Sequence, residues 1–175
     1  MLQRLFRPRP AQTTGKALYA AAVAQARTPT LYEALGAPDT VEGRFEVYSL
    51  HVVLLLERLR GEGAAAAEAS QALFDAYVKS LDDALREMGV GDLSVGKKMR
   101  KLGEAFFGRA KNYHGAFEAL PDRGPLEALI ARTVYAGADE ARAAAMADYV
   151  LAQRDHLAAQ PAAGLLKGDV DWRAA

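Results

Sequence analysis

The chain of 175 residues contains no cysteine and no excess of either charge, with 22 acidic and 22 basic side chains. The absence of cysteine excludes disulfides, thiolate nucleophiles and cysteine-ligated zinc or iron–sulfur sites. Balanced charge argues against a protein whose whole surface binds DNA. No apolar run reaches the roughly 20 residues that a transmembrane helix needs. The sequence therefore predicts neither a membrane span nor a DNA partner.

The abundant residues favour helices. Alanine occupies 37 positions, whereas the β-branched residues valine and isoleucine together occupy 12. Alanine and leucine are good helix formers, and β-branched residues are weaker ones. A chain of this length favours one domain with its own core. The composition therefore predicts an all-α fold.

Apolar residues recur at helical spacing between turn-forming residues over most of the chain. Glycines at 61, 89 and 137 and prolines at 29 and 161 mark helix ends. We therefore expect a single-domain bundle of about six helices, within a helical domain spanning residues 16–160. The predicted helices cover residues 16–27, 40–60, 64–88, 93–119, 125–136 and 139–160.

The two ends of the chain lack this periodicity. Residues 1–15 are expected to form a basic leader, because Pro8 and Pro10 oppose an early helix. An acid-free, arginine-bearing start is also compatible with a transit peptide. Residues 161–175 are expected to form an irregular tail, held to the body by Leu165, Leu166 and Trp172.

Several positions predict local features of the bundle. Asp39 with Glu42 forms a capping box for the helix at 40–60, and Asp92 is a candidate cap for the next hairpin helix. Gly96 and Gly103 share one edge of that helix and predict the close approach of a neighbour. The expected core cluster contains Phe45, Tyr48, Val52, Leu56, Phe74, Leu81, Leu85, Met99, Leu102 and Phe106.

The predicted helix at 40–60 is apolar on two sides. Val47, Leu50 and Leu54 form a second apolar line, roughly opposite the first at 100° per residue. One interpretation is a central helix that other helices cover. The alternative is an exposed groove for an apolar client segment.

Side chains suited to catalysis are few and scattered. No two of the three histidines have the spacing of a helical metal pair, and His51 on the apolar helix is expected to be packed and hydrogen-bonded. The sequence contains no phosphate-binding P-loop and no serine in a nucleophile elbow. We therefore expect a protein that is not an enzyme, with no catalytic residues, metal or cofactor.

Charge is unevenly distributed over the two helices in the middle of the chain. Residues 62–92 hold seven acids against Lys79 and Arg86, whereas residues 97–111 hold six cations against Glu104. The contrast fits charge complementarity across a helical hairpin, two solvated faces, or a surface for RNA phosphates, anionic lipid or an acidic partner. The candidate client or partner surface comprises Asp82, Asp83, Arg86, Asp92, Lys97, Lys98, Arg100 and Lys101.

Two stretches resemble a known family. They are LYEALGAPDTVEGRFEVYSLHVVLLLERLR at residues 31–60 and LDDALREMGVGDLSVGKKMRKLGEAFFGRAKNY at residues 81–113. Both are similar to the ubiquinol–cytochrome c chaperone family, whose mitochondrial members assist the assembly of respiratory complex III. The resemblance spans about residues 30–160.

The resemblance implies an all-helical, non-enzymatic assembly chaperone. Its expected client is cytochrome b of the ubiquinol–cytochrome c reductase complex or another membrane protein. Mitochondrial members also imply a small partner protein and a ribosome contact. The alternative function is a ribosome- or RNA-associated factor that acts through the basic face of residues 97–111.

The same resemblance, together with the bias of the basic residues, suggests a location. Arginine outnumbers lysine 15 to 7, which indicates a GC-rich bacterial genome. We expect a compact bacterial member of the family, in the cytoplasm or peripheral at the inner membrane. The alternative location is the matrix side of mitochondria.

Overall fold

The computed structural model describes residues 10–137 and 140–174, and no strand occurs among them. The all-α single-domain prediction is confirmed. The helices are α1 (Pro10–Ala26), α2 (Pro29–Glu33), α3 (Val41–Leu59), α4 (Ala64–Glu87), α5 (Asp92–Glu118), α6 (Gly124–Thr133), α7 (Glu140–Ala158) and α8 (Ala162–Leu165). None of these described helices is long and apolar enough to cross a membrane.

Helix α3 is the centre of the bundle. It packs against α1, α4, α5 and α7, and α6 closes the assembly by packing on α5 and α7. Val47 and Leu50 are 0% exposed and Leu54 is 2% exposed. The predicted exposed groove at these three residues is therefore wrong, because a helix that is apolar on two sides is covered on both.

Polar side chains on α3 hold the neighbouring helices through buried hydrogen bonds. The Nδ1 of His51 is 2.8 Å from the carbonyl oxygen of Val47, and its Nε2 is 2.7 Å from the hydroxyl of Tyr149 on α7. That hydroxyl also accepts a bond of 2.9 Å from the Nε2 of Gln25 on α1. Burial lowers the pKa of His51 to about 4, so the ring is neutral and links three helices. The packed, hydrogen-bonded histidine expected from the sequence is confirmed.

The first helix begins earlier than predicted. Helix α1 starts at Pro10, so residues 10–15 belong to the fold rather than to a basic leader. Proline suits the first helical position, because the amide hydrogen it lacks has no partner within the helix. At Gly15 an added Cβ would lie 2.4 Å from the carbonyl carbon of Ala72, so α1 and α4 are in close contact there. The remaining leader residues, 1–9, lie outside the described residues.

Two predicted helix caps are wrong by one residue. Thr40, not Asp39, caps α3, and its side-chain oxygen accepts a bond of 3.1 Å from the amide of Gly43. Asp39 instead pairs with Arg44. Asp92 lies in the first turn of α5 after the cap residue Gly91. The start predicted for the last helix, at 139, lies outside the described residues.

One further expectation is wrong, and the predicted core is right for most of its residues. An added Cβ at Gly96 or Gly103 would have nothing within 4 Å, so no helix approaches that edge of α5. Of the ten predicted core residues, seven belong to the main core or pack against it, and Leu85, Met99 and Leu102 do not. No residue between 82 and 105 belongs to that core or packs against it. The end of the α4–α5 pair therefore lies beyond the rest of the bundle.

The end of the described chain is more ordered than the predicted irregular tail. The one-turn helix α8 covers part of it, and Leu165 is fully buried. Leu166 and Trp172 pack against the core, as the sequence suggested. The ring of Trp172 lies edge-on to that of His51, with 5.3 Å between the centroids.

The neutral His51 predicts an acid-sensitive fold. The pKa near 4 in the folded chain compares with 6.5 in the unfolded chain, so the unfolded state binds the extra proton first. The contribution of His51 to the free energy of unfolding should therefore have its full value above pH 6.5. It should fall by about 3 kcal/mol as the pH drops towards 4. Urea unfolding of the chain and of His51→Gln, measured between pH 4 and 7.5, checks this. An equally steep acid loss in the glutamine variant would contradict it.

Candidate functional site: the end of the α4–α5 hairpin

The hairpin formed by α4 and α5 is attached to the central helix at its base. The guanidinium of Arg109 on α5 donates bonds of 3.0 and 2.6 Å to the two carboxylate oxygens of Glu46 on α3. Glu46 is buried, and its hydrogen bonds raise the pKa of Arg109. On α4 the hydroxyl of Tyr77 lies 2.8 Å from that of Ser49 on α3. Its ring centroid is 4.8 Å from that of Phe106, so one aromatic contact joins both arms.

A short glycine turn reverses the chain between the two helices. The amide of Gly89 donates to the carbonyl of Arg86 at 2.9 Å, and the amide of Val90 donates to that of Leu85 at 3.0 Å. This pair of bonds is a Schellman motif, which needs a left-handed residue after the helix. Gly89 supplies it with φ of +80°. Helix α5 therefore returns antiparallel to α4, as the predicted stop at Gly89 implied.

The acidic residues of the predicted partner surface have cationic neighbours. The Nε of Arg86 is 2.7 Å from Asp82, and the same guanidinium also pairs with Asp92 at the start of α5. The Nζ of Lys79 is 2.9 Å from Asp83. These pairs are solvent-exposed, so they add little to stability. Their effect on the surface is to neutralise its acids locally.

The cations of the predicted surface are arranged differently. Lys97, Lys98, Arg100 and Lys101 are all exposed, and none of them forms an ion pair with another described residue. The acidic helix α4 therefore does not neutralise this part of α5. The complementarity interpretation is wrong for these four residues, and a local positive field remains.

Large apolar side chains are exposed on the same hairpin. Leu93 is fully exposed, Phe107 is 60% exposed, and Met88 before the turn is 54% exposed. At 100° per residue, Leu93 and Phe107 lie within about 80° of Lys97 and Arg100 around α5. Exposed apolar patches with polar rims mark contact sites for other molecules. We call this set the hairpin surface: Met88, Leu93, Lys97, Lys98, Arg100, Lys101 and Phe107.

The sequence analysis missed the three apolar members of the hairpin surface. The signal was present for Leu93, which precedes Val95 by two residues and so lies about 160° around the helix from the apolar stripe of α5. Phe107 lies at the edge of that stripe, where its ring covers Phe74 at 5.2 Å between centroids. Met88 continues the apolar face of α4, and only its position beyond the core exposes it.

A polar cleft between α3, α5 and α7 is the other concentration of titratable groups. His114 on α5 lies 2.9 Å from Glu57 on α3, which also pairs with Arg60. Burial raises the pKa of Glu57, but the bonds from Arg60 and His114 outweigh burial and lower it. Its charges are thus matched within the fold. No group of three or more metal-binding side chains occurs among residues 10–137 and 140–174.

Two comparisons place the chain among known proteins. The ubiquinol–cytochrome c chaperone family matches residues 33–172. The crystal structure of the Cbp3 homolog from Brucella abortus is 34% identical in sequence and superposes with a TM-score of 0.86. The alignment covers 99% of this chain and 97% of that one. No curated protein is significantly similar to the chain.

The Glu46–Arg109 pair predicts how the hairpin is held. Glu46→Ala leaves a half-buried guanidinium without its carboxylate, and we expect a loss of about 1–3 kcal/mol in the free energy of unfolding. Asp83→Ala removes the acid of an exposed pair and should cost less than about 1 kcal/mol. Urea unfolding of the two variants checks this. Equal losses would show that the buried pair does not anchor the hairpin.

Proposed function

Because the chain belongs to the ubiquinol–cytochrome c chaperone family, we propose that it is a non-enzymatic assembly chaperone of the ubiquinol–cytochrome c reductase complex, respiratory complex III. The 34% identical Cbp3 homolog, aligned over nearly the whole length of both chains, supports this assignment. The two stretches that carry the resemblance include α3, at the centre of the fold, and the end of the α4–α5 hairpin, where Met88, Leu93 and Phe107 are exposed.

The proposed client is cytochrome b, the membrane protein of that complex. A membrane protein presents apolar segments before it is assembled, and the loops that flank them carry charge. The hairpin surface offers matching chemistry, since exposed Leu93 and Phe107 share one side of α5 with Lys97 and Arg100, which form no ion pair with a described residue. This juxtaposition is the observation that carries the proposal.

The apolar and charged members of the hairpin surface have different roles in this proposal. Burying a leucine side chain against a client contributes about 1.5–3 kcal/mol, so Leu93 and Met88 supply affinity. The cations mainly set the rate and orientation of encounter, because exposed charges contribute little net binding energy. The paired acids on α4 prevent the whole hairpin from becoming a general polyanion binder.

A ribosome- or RNA-associated factor is the second candidate function. The unpaired cations of residues 97–101 favour it, because phosphate binding depends on such charges. The exposed Leu93 and Met88 favour a polypeptide instead, since phosphate contacts need no apolar surface. No stacking platform of several exposed aromatic rings accompanies the cations among the described residues, where Phe107 is the one exposed large aromatic side chain.

The proposed place of action is the cytoplasmic face of the inner membrane, where a cytochrome b client becomes accessible during insertion. The family resemblance also supports a small partner protein and a ribosome contact as further proposals. With or without the partner protein and the ribosome contact, the client would bind to the hairpin surface.

The hairpin surface predicts the effect of removing its apolar residues. The double variant Met88→Ser with Leu93→Ser should bind a peptide of the first transmembrane segment of cytochrome b, held in detergent, at least ten-fold more weakly than the unaltered chain. Its thermal unfolding should be unchanged, because both side chains are exposed. Val41→Ser is the matched control, since Val41 is 62% exposed and lies on α3 rather than on either arm of the hairpin.

Reversal of Lys97, Lys98 and Lys101 to glutamate separates the two candidate functions. For a polypeptide client it should slow association several-fold while the serine variant still loses affinity. An RNA-binding factor would instead lose RNA binding in the reversal variant and keep it in the serine variant, with a steep salt dependence. Unchanged client binding in a folded serine variant would remove the hairpin surface from the mechanism.

A further inference from the structure

Residues 169–174, here called the strap, lie in a groove between α1 and α7. On the α1 side, the hydroxyl of Thr14 donates to the carbonyl of Leu166 at 2.8 Å, just before the strap begins. Gly168 crosses α1 so closely that an added Cβ would lie 2.5 Å from the Cβ of Ala17. Further along, the Nε2 of Gln25 reaches the carbonyl of Arg173 at 3.4 Å. The strap therefore follows α1 as a non-helical chain.

Gln153 on α7 and Gln160, just after the end of α7, hold the strap by its backbone. The Nε2 of Gln160 donates to the carbonyl of Asp171 at 2.7 Å, and its Oε1 accepts from the amide of Asp171 at 3.0 Å. Gln153 forms the same two bonds with Arg173, also at 2.7 and 3.0 Å. Gln153 is 1% exposed, so both of these bonds are shielded from water. Every residue except proline carries these backbone groups, and two such glutamines can hold polypeptides of many sequences.

Side-chain recognition of the strap comes from two consecutive residues. The carboxylate of Asp171 is 2.7 Å from the Nε2 of His156 on α7. The indole of Trp172 covers the buried ring of His51. Its Nε1–H is buried without an acceptor among the described residues, so tryptophan does not satisfy every polar atom at this position.

We propose that this groove is a binding site for an extended polypeptide segment of a partner protein, which carries an acidic residue followed by an aromatic one. The strap occupies the site in the free chain and competes with the partner segment. Main-chain bonds to the two glutamines give affinity, and the two side-chain positions give specificity, as in other modes of extended-peptide recognition. The groove uses none of the residues of the hairpin surface, so the inference stands independently of the proposed client.

The test uses the full chain and a labelled seven-residue peptide with the sequence of residues 168–174. In Trp172→Ala the strap loses its aromatic anchor while the groove stays intact. This variant should bind the peptide at least ten-fold more tightly than the unaltered chain, whose strap competes at a high effective concentration. Adding Gln153→Ala should abolish the gain. A peptide with phenylalanine in place of tryptophan should bind at least as tightly, because it brings no unpaired N–H.

Two controls make the outcome decisive. A peptide with alanine at the aromatic position should bind the unaltered chain and Trp172→Ala with the same affinity. Equal binding of the original peptide to the unaltered chain and to a folded Trp172→Ala would overturn the proposal. A dimer of the unaltered chain that Gln153→Ala abolishes would assign the groove to the strap of a second copy, and would also overturn it.

Hydrogen exchange of the unaltered chain covers the case in which Trp172→Ala fails to fold. The proposal requires the strap to open without unfolding the bundle. The amides of Asp171 and Arg173 should therefore exchange at least ten-fold faster than those of Val52 and Leu55 in α3. Exchange of all four at one rate would mean that the strap opens only when the whole chain unfolds, which contradicts an exchangeable ligand.

Discussion

The attachment of the α4–α5 hairpin to α3 is the constraint on which the functional surface depends. The Glu46–Arg109 pair and the aromatic contact of Tyr77 with Phe106 hold both arms at the base of the hairpin. A buried ion pair adds little to stability relative to apolar packing, but it penalises every arrangement that leaves one charge unpaired. The base of the hairpin is thus held in one register. Beyond it, no residue of 82–105 joins the main core, and within this range Leu85 and Val95 alone are buried.

The interior uses its polar groups to join helices. His51 is neutral and links α3 to α7, while burial raises the pKa of its partner Tyr149 to about 12, so that hydroxyl keeps its proton. Serine and tyrosine form a similar link between α3 and α4. At the surface of the hairpin, in contrast, cations that form no ion pair lie beside exposed apolar side chains. That division suits a protein that binds other polypeptides.

Helical periodicity predicted the fold class and the hairpin because it reports directly on which faces are buried. It could not predict whether the second apolar face of α3 would be covered. The sequence pattern at Val47 and Leu50 is the same whether another helix packs on them or they line an exposed groove. Pro10 was misjudged because proline breaks a helix interior and also begins helices. The close helix approach predicted at Gly96 and Gly103 was wrong for a similar reason. Their spacing carries no information on whether a neighbouring helix lies beside them.

The central claim is that the client contacts the end of the hairpin, and site-specific photo-crosslinking tests it most directly. A photoreactive amino acid is placed at Leu93 in one chain and at Val41 in another, and crosslinks are formed in native membranes. The account predicts a cytochrome b adduct from position 93 and none from position 41. An adduct of equal yield from both positions, or none from position 93 in a folded chain, would contradict it.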